Sequence, residues 1–381
     1  MKLNRFFLMM LLPAMNAFAF ELPELNYNEE KPGISWKPSA YLMLDYDENT
    51  TKVESEQDTD GEAEVRRGRL GINAKYRAHW RAELQLGFEE LDDDYPEVKE
   101  LRLTYKGLGE IDMSLGLMKV PFGLENGVSS RHLPFMERSM ASASTSLGRA
   151  KGIKLEWLEK KWGFYTGYFD NSDWNDEIQD SVFRAYYTPH NKKKKQVHFG
   201  YSLAYRDWKK GNDRLSTRIG TNTAEPIRLD NTLPMELRYQ NGIEIAVQGY
   251  GVLFQTEYVH QSNQTVNSDV TANTDYQFIY YQLAYFPFGG YRRYRDGYFK
   301  RVKGINSWTA LELVIGKSEI DGFDNNQGTQ IESLRYGLNY YPVEALKLSA
   351  NMTEYRLDRP VTGFEQTGNA WSIRLQWEYR P

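Results

Sequence analysis

The chain has 381 residues, 14% of them aromatic and 26% charged, with a formal net charge of −5. An acidic chain is poorly suited to the phosphate backbone of nucleic acid, which argues against that partner. With no cysteine there are no disulfides, thiolate nucleophiles or cysteine-held zinc, so stability must come from hydrogen bonding and packing.

Residues 1–19 read as a secretory signal. Lys2 and Arg5 are its basic start, Phe6 to Leu12 its apolar stretch, and Ala17-Phe18-Ala19 a small-x-small cleavage site. That stretch is too short to span a bilayer as a helix. Its removal takes away two basic residues and no acid, so the formal charge moves from −5 to −7. The mean hydropathy is −0.66. A membrane barrel has such a value too, because only every second strand residue faces lipid.

The remaining chain alternates with period two. From Arg67 to Tyr76, Leu70, Ile72, Ala74 and Tyr76 share one face, while Arg67, Arg69, Asn73 and Lys75 share the other. After a three-residue turn, Trp80, Ala82, Leu84, Leu86 and Phe88 alternate with Arg81, Glu83, Gln85 and Glu89. Leu101, Leu103 and Tyr105 alternate in the same way with Glu100, Arg102 and Thr104, and Ile111, Met113, Leu115 and Leu117 form the next apolar row. Val197 to Tyr205 and Leu346 to Met352 repeat the pattern. Trp371, Ile373, Leu375, Trp377 and Tyr379 close it, opposed by Ser372, Arg374, Gln376 and Glu378.

Sixteen strands are predicted, near 38–46, 65–76, 80–89, 98–106, 111–119, 152–158, 162–169, 181–188, 196–206, 243–249, 252–260, 276–286, 304–317, 332–341, 346–355 and 369–379. Long links (47–64, 90–97, 120–151, 170–180, 207–242, 261–275, 318–331 and 356–368) alternate with mostly short ones. The exceptions among the short links are 189–195, with its lysine run, and 287–303. Long loops on one side and tight turns on the other are the arrangement of a bacterial outer-membrane barrel. The reading is therefore all-β, a transmembrane antiparallel β-barrel over 38–381, after a signal peptide (1–19) and a periplasmic N-terminal segment (20–37). An even strand count puts both termini on the periplasmic side. The barrel would contact outer-membrane lipid and lipopolysaccharide.

The third long link carries Lys119-Val120-Pro121-Phe122-Gly123-Leu124-Glu125, then Ser129-Ser130, Phe135-Met136-Glu137-Arg138-Ser139 and Gly148-Arg149. With Arg66-Arg67-Gly68-Arg69-Leu70-Gly71, Phe288-Gly289-Gly290-Tyr291-Arg292, Gly297-Tyr298-Phe299, Arg301-Val302-Lys303 and the closing strand Trp371 to Tyr379, it resembles the phosphate-selective porin O and P family. The resemblance implies a sixteen-stranded trimeric barrel whose third external loop folds inward to narrow a diffusion pore. It also implies an anion site using loop serines and an arginine, which map onto Ser129, Ser130 and Arg138.

Arg131 stands beside these residues, and Arg67, Arg69 and Arg102 lie on the lumen-facing rows, together with Lys75. Guanidinium and hydroxyl donors at a constriction favour phosphate or carboxylate oxygens. Simple solvation of the strand arginines, a turn or cap role for the serines, and pairing of Glu137 and Arg138 with each other or the wall are equally open readings. The acidic first loop (Glu48, Glu54, Glu56, Asp58, Asp60) and second loop (Asp92, Asp93, Asp94) weigh against a purely basic path. Phosphate selectivity and weak selectivity for small anions or general solutes therefore both stand. No catalytic motif, cofactor or metal site is read. The five histidines (His79, His132, His190, His198, His260) form no paired motif, and His132 is expected at the surface. An adhesin or receptor barrel without conductance is the alternative to a channel, and 20–37 is too short for a plug domain.

Overall fold

The computed structural model describes residues 33–53, 56–88, 96–173, 176–213, 215–229, 233–266, 271–303, 310–322 and 328–379. The signal and most of segment 20–37 lie outside them, as do the second-loop acids Asp92 to Asp94 and residues Glu54 and Glu89.

Sixteen antiparallel strands close into one barrel. They are β1 (Ile34–Val53), β2 (Glu56–Tyr76), β3 (Trp80–Gly87), β4 (Glu97–Leu108), β5 (Ile111–Lys119), β6 (Arg149–Leu158), β7 (Trp162–Asp170), β8 (Glu177–Lys192), β9 (Lys195–Lys210), β10 (Leu233–Gly249), β11 (Val252–Val266), β12 (Thr271–Tyr285), β13 (Ala310–Gly322), β14 (Thr329–Val343), β15 (Leu346–Arg359) and β16 (Phe364–Tyr379). Each pairs with the next, and β1 closes on β16 from Ala40↔Tyr379 to Val53↔Gln366. No edge is left open, which is what a sheet in hydrocarbon requires.

The alternation seen in the sequence is the inside–outside alternation of the barrel. On β16, Trp371, Ile373, Leu375 and Trp377 are exposed while Ser372, Arg374 and Gln376 are buried. The exposed side chains form a continuous apolar belt, far larger than the patches soluble monomers tolerate. Aromatic pairs rim it, Tyr46–Trp371 at the loop end and Trp80–Tyr105 and Trp157–Trp162 at the turn end.

The sequence reading placed several boundaries differently. β1 begins at Ile34, inside the segment assigned to 20–37. The first long loop is not a loop over most of its length. β1 and β2 extend as one long hairpin, so Glu48, Glu56, Asp58 and Asp60 are strand residues. Link 189–195 shrinks to a tight turn, because β8 and β9 pair as far as Lys192↔Lys195. At Tyr250-Gly251 both turn residues have positive φ, 53° and 78°, the geometry that joins two strands with two residues.

Three segments fold into the lumen. The third loop (120–148) carries short helices at Leu124–Gly127 and Met140–Ser144 and a 3-10 turn at Ser130–His132. Link 287–303 forms a hairpin, Tyr291–Arg295 with Tyr298–Lys303, that enters from the turn end. Within 207–242, residues 215–229 pack inward from the loop end through Leu215, Ile219 and Leu229. The core of this protein is therefore inside the barrel. Leu215, Ile219 and Leu229 meet Met140, Tyr276, Phe278, Ile331 and Leu357 there.

Candidate ion pathway

The third loop lacks regular backbone pairing between Arg131 and Glu137, where Pro134 and the end of the 3-10 turn interrupt it. Buried carbonyls still need donors. The barrel wall and the inserted hairpin supply them one after another. Gln376 donates to Arg131 O (3.2 Å), Arg292 to His132 O, Lys347 to Leu133 O (3.1 Å), Asn339 to Pro134 O (2.6 Å), Arg374 to Met136 O (2.6 Å) and Arg335 to Glu137 O (3.1 Å). Three barrel strands, β14, β15 and β16, and the hairpin strand that carries Arg292 thus hold the loop by side chains.

Phe135 anchors it further. Its ring sits where a Cβ on Gly316 or Gly337 would be, 2.8 and 3.2 Å away, so only glycine leaves that room. The Arg335 guanidinium covers the ring at 4.1 Å. On the other flank Glu257 accepts from Leu124 N and from Glu125 N (3.0 Å), and Glu125 accepts from Ser139 N and Oγ (both 2.9 Å).

Glu137 is the electrostatic pivot. Arg66 Nε and Nη2 donate to its two oxygens at 2.9 and 3.0 Å, and Arg374 Nη2 donates at 2.8 Å while also gripping Asp45 at 2.6 Å. Burial would push the Glu137 carboxyl up, but Arg66, Arg67 and Arg374 outweigh it and hold it well below the usual carboxylate range. Strict alternation would have sent Arg66 outward. A bulge, where Met43 faces Arg67 and Leu44 faces Val65, leaves Arg66 as an extra residue and turns it inward beside Arg67.

Between the third loop, the inserted hairpin and the wall β2–β7 the lumen holds an eccentric passage of about 870 Å³. Every predicted site residue lines it: Arg67, Arg69, Arg102, Ser129, Ser130, Arg131 and Arg138. Their roles differ. Ser129 precedes the 3-10 turn without a side-chain cap bond, and its Oγ accepts from Arg131 Nε at 3.3 Å. Arg131 donates to Glu378 (2.9 Å) and lies over the Tyr41 ring at 4.6 Å. Arg138 pairs neither with Glu137 nor with the wall. It donates to Val128 O (2.7 Å) and Glu125 O (3.4 Å), tying the loop to itself. Arg67 stands 3.6 Å from Glu137. Arg102 is bracketed by Glu83 at 2.6 Å and Glu100 at 3.5 Å. His132 is buried under the loop, not at the surface as the sequence suggested.

Sequence reasoning missed several members. Lys119 caps Asn126 O and Val128 O. Arg81 lies directly opposite Lys75 across β2 and β3, a like-charge pair that a dry interface would not tolerate. The hairpin tip adds Arg295 and Lys300. Period-two alternation put Lys75 and Arg81 on the inner face, and link 287–303 stood out by its length and its motifs, but neither indicated that it enters the lumen. Among the described lining residues, fourteen Lys or Arg stand against five Asp or Glu. The passage is basic inside an acidic chain.

The phosphate-selective porin O and P family matches residues 40–379. The chain belongs to that family. Porin O of Pseudomonas aeruginosa is 22% identical over 395 residues, covering 91% of this chain and 89% of that protein. Among solved structures, the porin resembles outer-membrane expressed OmpT of Vibrio cholerae (TM-score 0.60, 11% identity, 92% of this chain and 99% of that one). It also resembles the outer-membrane channel DcaP of Acinetobacter baumannii (TM-score 0.58, 10% identity, 91% and 98%). It is an outer-membrane porin, and its barrel encloses the passage that such a channel needs.

Proposed function

We propose that this porin prefers anions, with phosphate among its solutes, and that the basic passage is the reason. The single observation that supports it is the excess of cationic side chains on the passage, fourteen against five, although the whole chain is acidic. Lys75 and Arg81 have no carboxylate partner among the described residues, and the ammonium and guanidinium donors of Lys119 and Arg138 go to carbonyls. Rings of Arg and Lys select anions by replacing part of the hydration shell and by raising local anion concentration. Ser129, Ser130, Arg131 and Arg138 form the loop side of the proposed site, and Arg67, Arg69 and Arg102 the wall side. No covalent chemistry is assigned to any of them. The test is inhibition of chloride conductance by inorganic phosphate in a planar bilayer. Saturable block supports phosphate recognition, and its absence leaves only a general anion preference.

Residues 1–19 are read as a removed signal, the residues between it and β1 as a periplasmic segment, and the barrel domain as starting with β1 at Ile34. The sorting of long and short links supports periplasmic termini. A homotrimer is supported by a trimer form recorded for OmpT of Vibrio cholerae, and the apolar belt suits lipid and lipopolysaccharide.

A further inference from the structure

At the loop end, away from the passage residues named above, Asp45 and Asp47 on β1 and Glu64 on β2 converge. Asp45 faces Glu64 directly across the strand pair, and Asp45 and Asp47 share the inward face. Like charges so placed repel, and Asp47 is only 1% exposed. We propose that these three carboxylates hold a hard divalent cation, with calcium the best match, which clips residues 215–229 to the barrel wall.

The strongest support is two stranded oxygens. Thr223 donates to Asp47 Oδ2 at 3.2 Å and Ser372 stands opposite Asp47 on β16, but no hydrogen bond reaches Asp47 Oδ1, which is sealed from solvent. Asn222 donates to Glu64 Oε2 at 2.9 Å, and Glu64 Oε1 is likewise sealed without a hydrogen bond. Cations nearby are committed elsewhere. Arg374 grips Asp45 and Glu137, Arg66 grips Glu137 and stands 4.0 Å from Glu64, and no Lys or Arg among the described residues forms an ion pair with Asp47. A buried carboxylate oxygen without a donor is the atom a metal ion satisfies.

The geometry suits such an ion. One oxygen from each of the three carboxylates lies within 4.8 Å of the others. Calcium takes oxygen ligands at about 2.3–2.6 Å, so opposed ligands stand roughly 5 Å apart and neighbouring ones closer. All donors are oxygens, with no imidazole or thiolate, which favours calcium or magnesium over zinc or copper. The inserted segment supplies only neutral groups there. Thr221 and Thr223 also bond Asn49, at 2.6 and 2.9 Å. The ion would thus complete the contact between the segment and the wall. This inference stands apart from the anion preference, since none of its residues lines the passage.

The test uses the full porin folded in detergent, stripped with EDTA and titrated with calcium by calorimetry. One saturable site per chain is expected, in the range of about 10⁻⁴–10⁻³ M found for extracellular calcium modules. Asp47→Asn with Glu64→Gln should weaken it at least tenfold. A second readout needs no variant: calcium should slow tryptic cleavage after Arg218 and Arg228 in the wild-type porin, and EDTA should restore it. Absence of saturable binding, undiminished binding by the double variant, or cleavage indifferent to calcium would each overturn the proposal.

Discussion

The two halves of the lumen use the same residue types for opposite ends. Along β10, the inward residues Arg238, Gln240, Glu244, Ala246 and Gln248 are all buried, and the strands around them are packed with loop, hairpin and paired charges. Arg184 is held by Glu244 at 2.8 and 2.6 Å, and Arg292 by Glu312 at 2.9 and 2.8 Å. Across the lumen, Asn73 and Lys75 on β2 are exposed although they too point inward. Arginines of the filled half are sealed in ion pairs, whereas Lys75 and Arg81 of the open half have no carboxylate partner among the described residues and face the passage. Inward placement alone therefore does not make a residue part of a channel.

That contrast can be broken from either side. The largest effect is expected from Arg374→Ala, which leaves the buried carboxylates of Asp45 and Glu137 short of their partner. A loss of about 3–5 kcal/mol is expected, seen as an earlier unfolding midpoint in detergent and as noisier, larger channel currents from a loosened third loop. Charge reversal in the open half, Lys75→Glu with Arg81→Glu, should do the converse. Anion preference should fall several-fold in reversal-potential measurements while the unfolding midpoint barely moves. Gly337→Val should crowd the Phe135 ring at a cost of about 1–3 kcal/mol, with stability falling more than selectivity. The smallest change is expected from salt. The Debye length shrinks from about 10 Å at 0.1 M to about 3 Å at 1 M, so anion preference should weaken across that range without any change in the fold. Selectivity insensitive to the Lys75 and Arg81 reversal would show that the open wall does not control the ions.

Much of the barrel was legible because period two reports burial on each strand independently. Each of the sixteen predicted strands overlaps one strand of the barrel, though often a shorter stretch of it, and Val197 to Tyr205 and Trp371 to Tyr379 face lipid as read. The long β1–β2 hairpin was not legible, since beyond the membrane its residues, such as Glu48 and Asp58, need no apolar face. Nor was Arg66, because a bulge shifts phase without a mark in the pattern. For the site, the sequence placed Arg67, Arg69 and Arg102 on the inner face. It carried no information on the partners across space that separate Arg102, bracketed by Glu83 and Glu100, from Arg81. The insertion of 291–303 escaped notice for the same reason: its anchors, Gln248, Glu312 and His198, are far away in the chain.

The most direct test of the basic passage is the zero-current potential of the folded porin in a planar bilayer under a tenfold KCl gradient at low ionic strength. A potential of the sign set by chloride, reduced by Lys75→Glu with Arg81→Glu, is predicted. A potential set by potassium in the wild-type porin would contradict it.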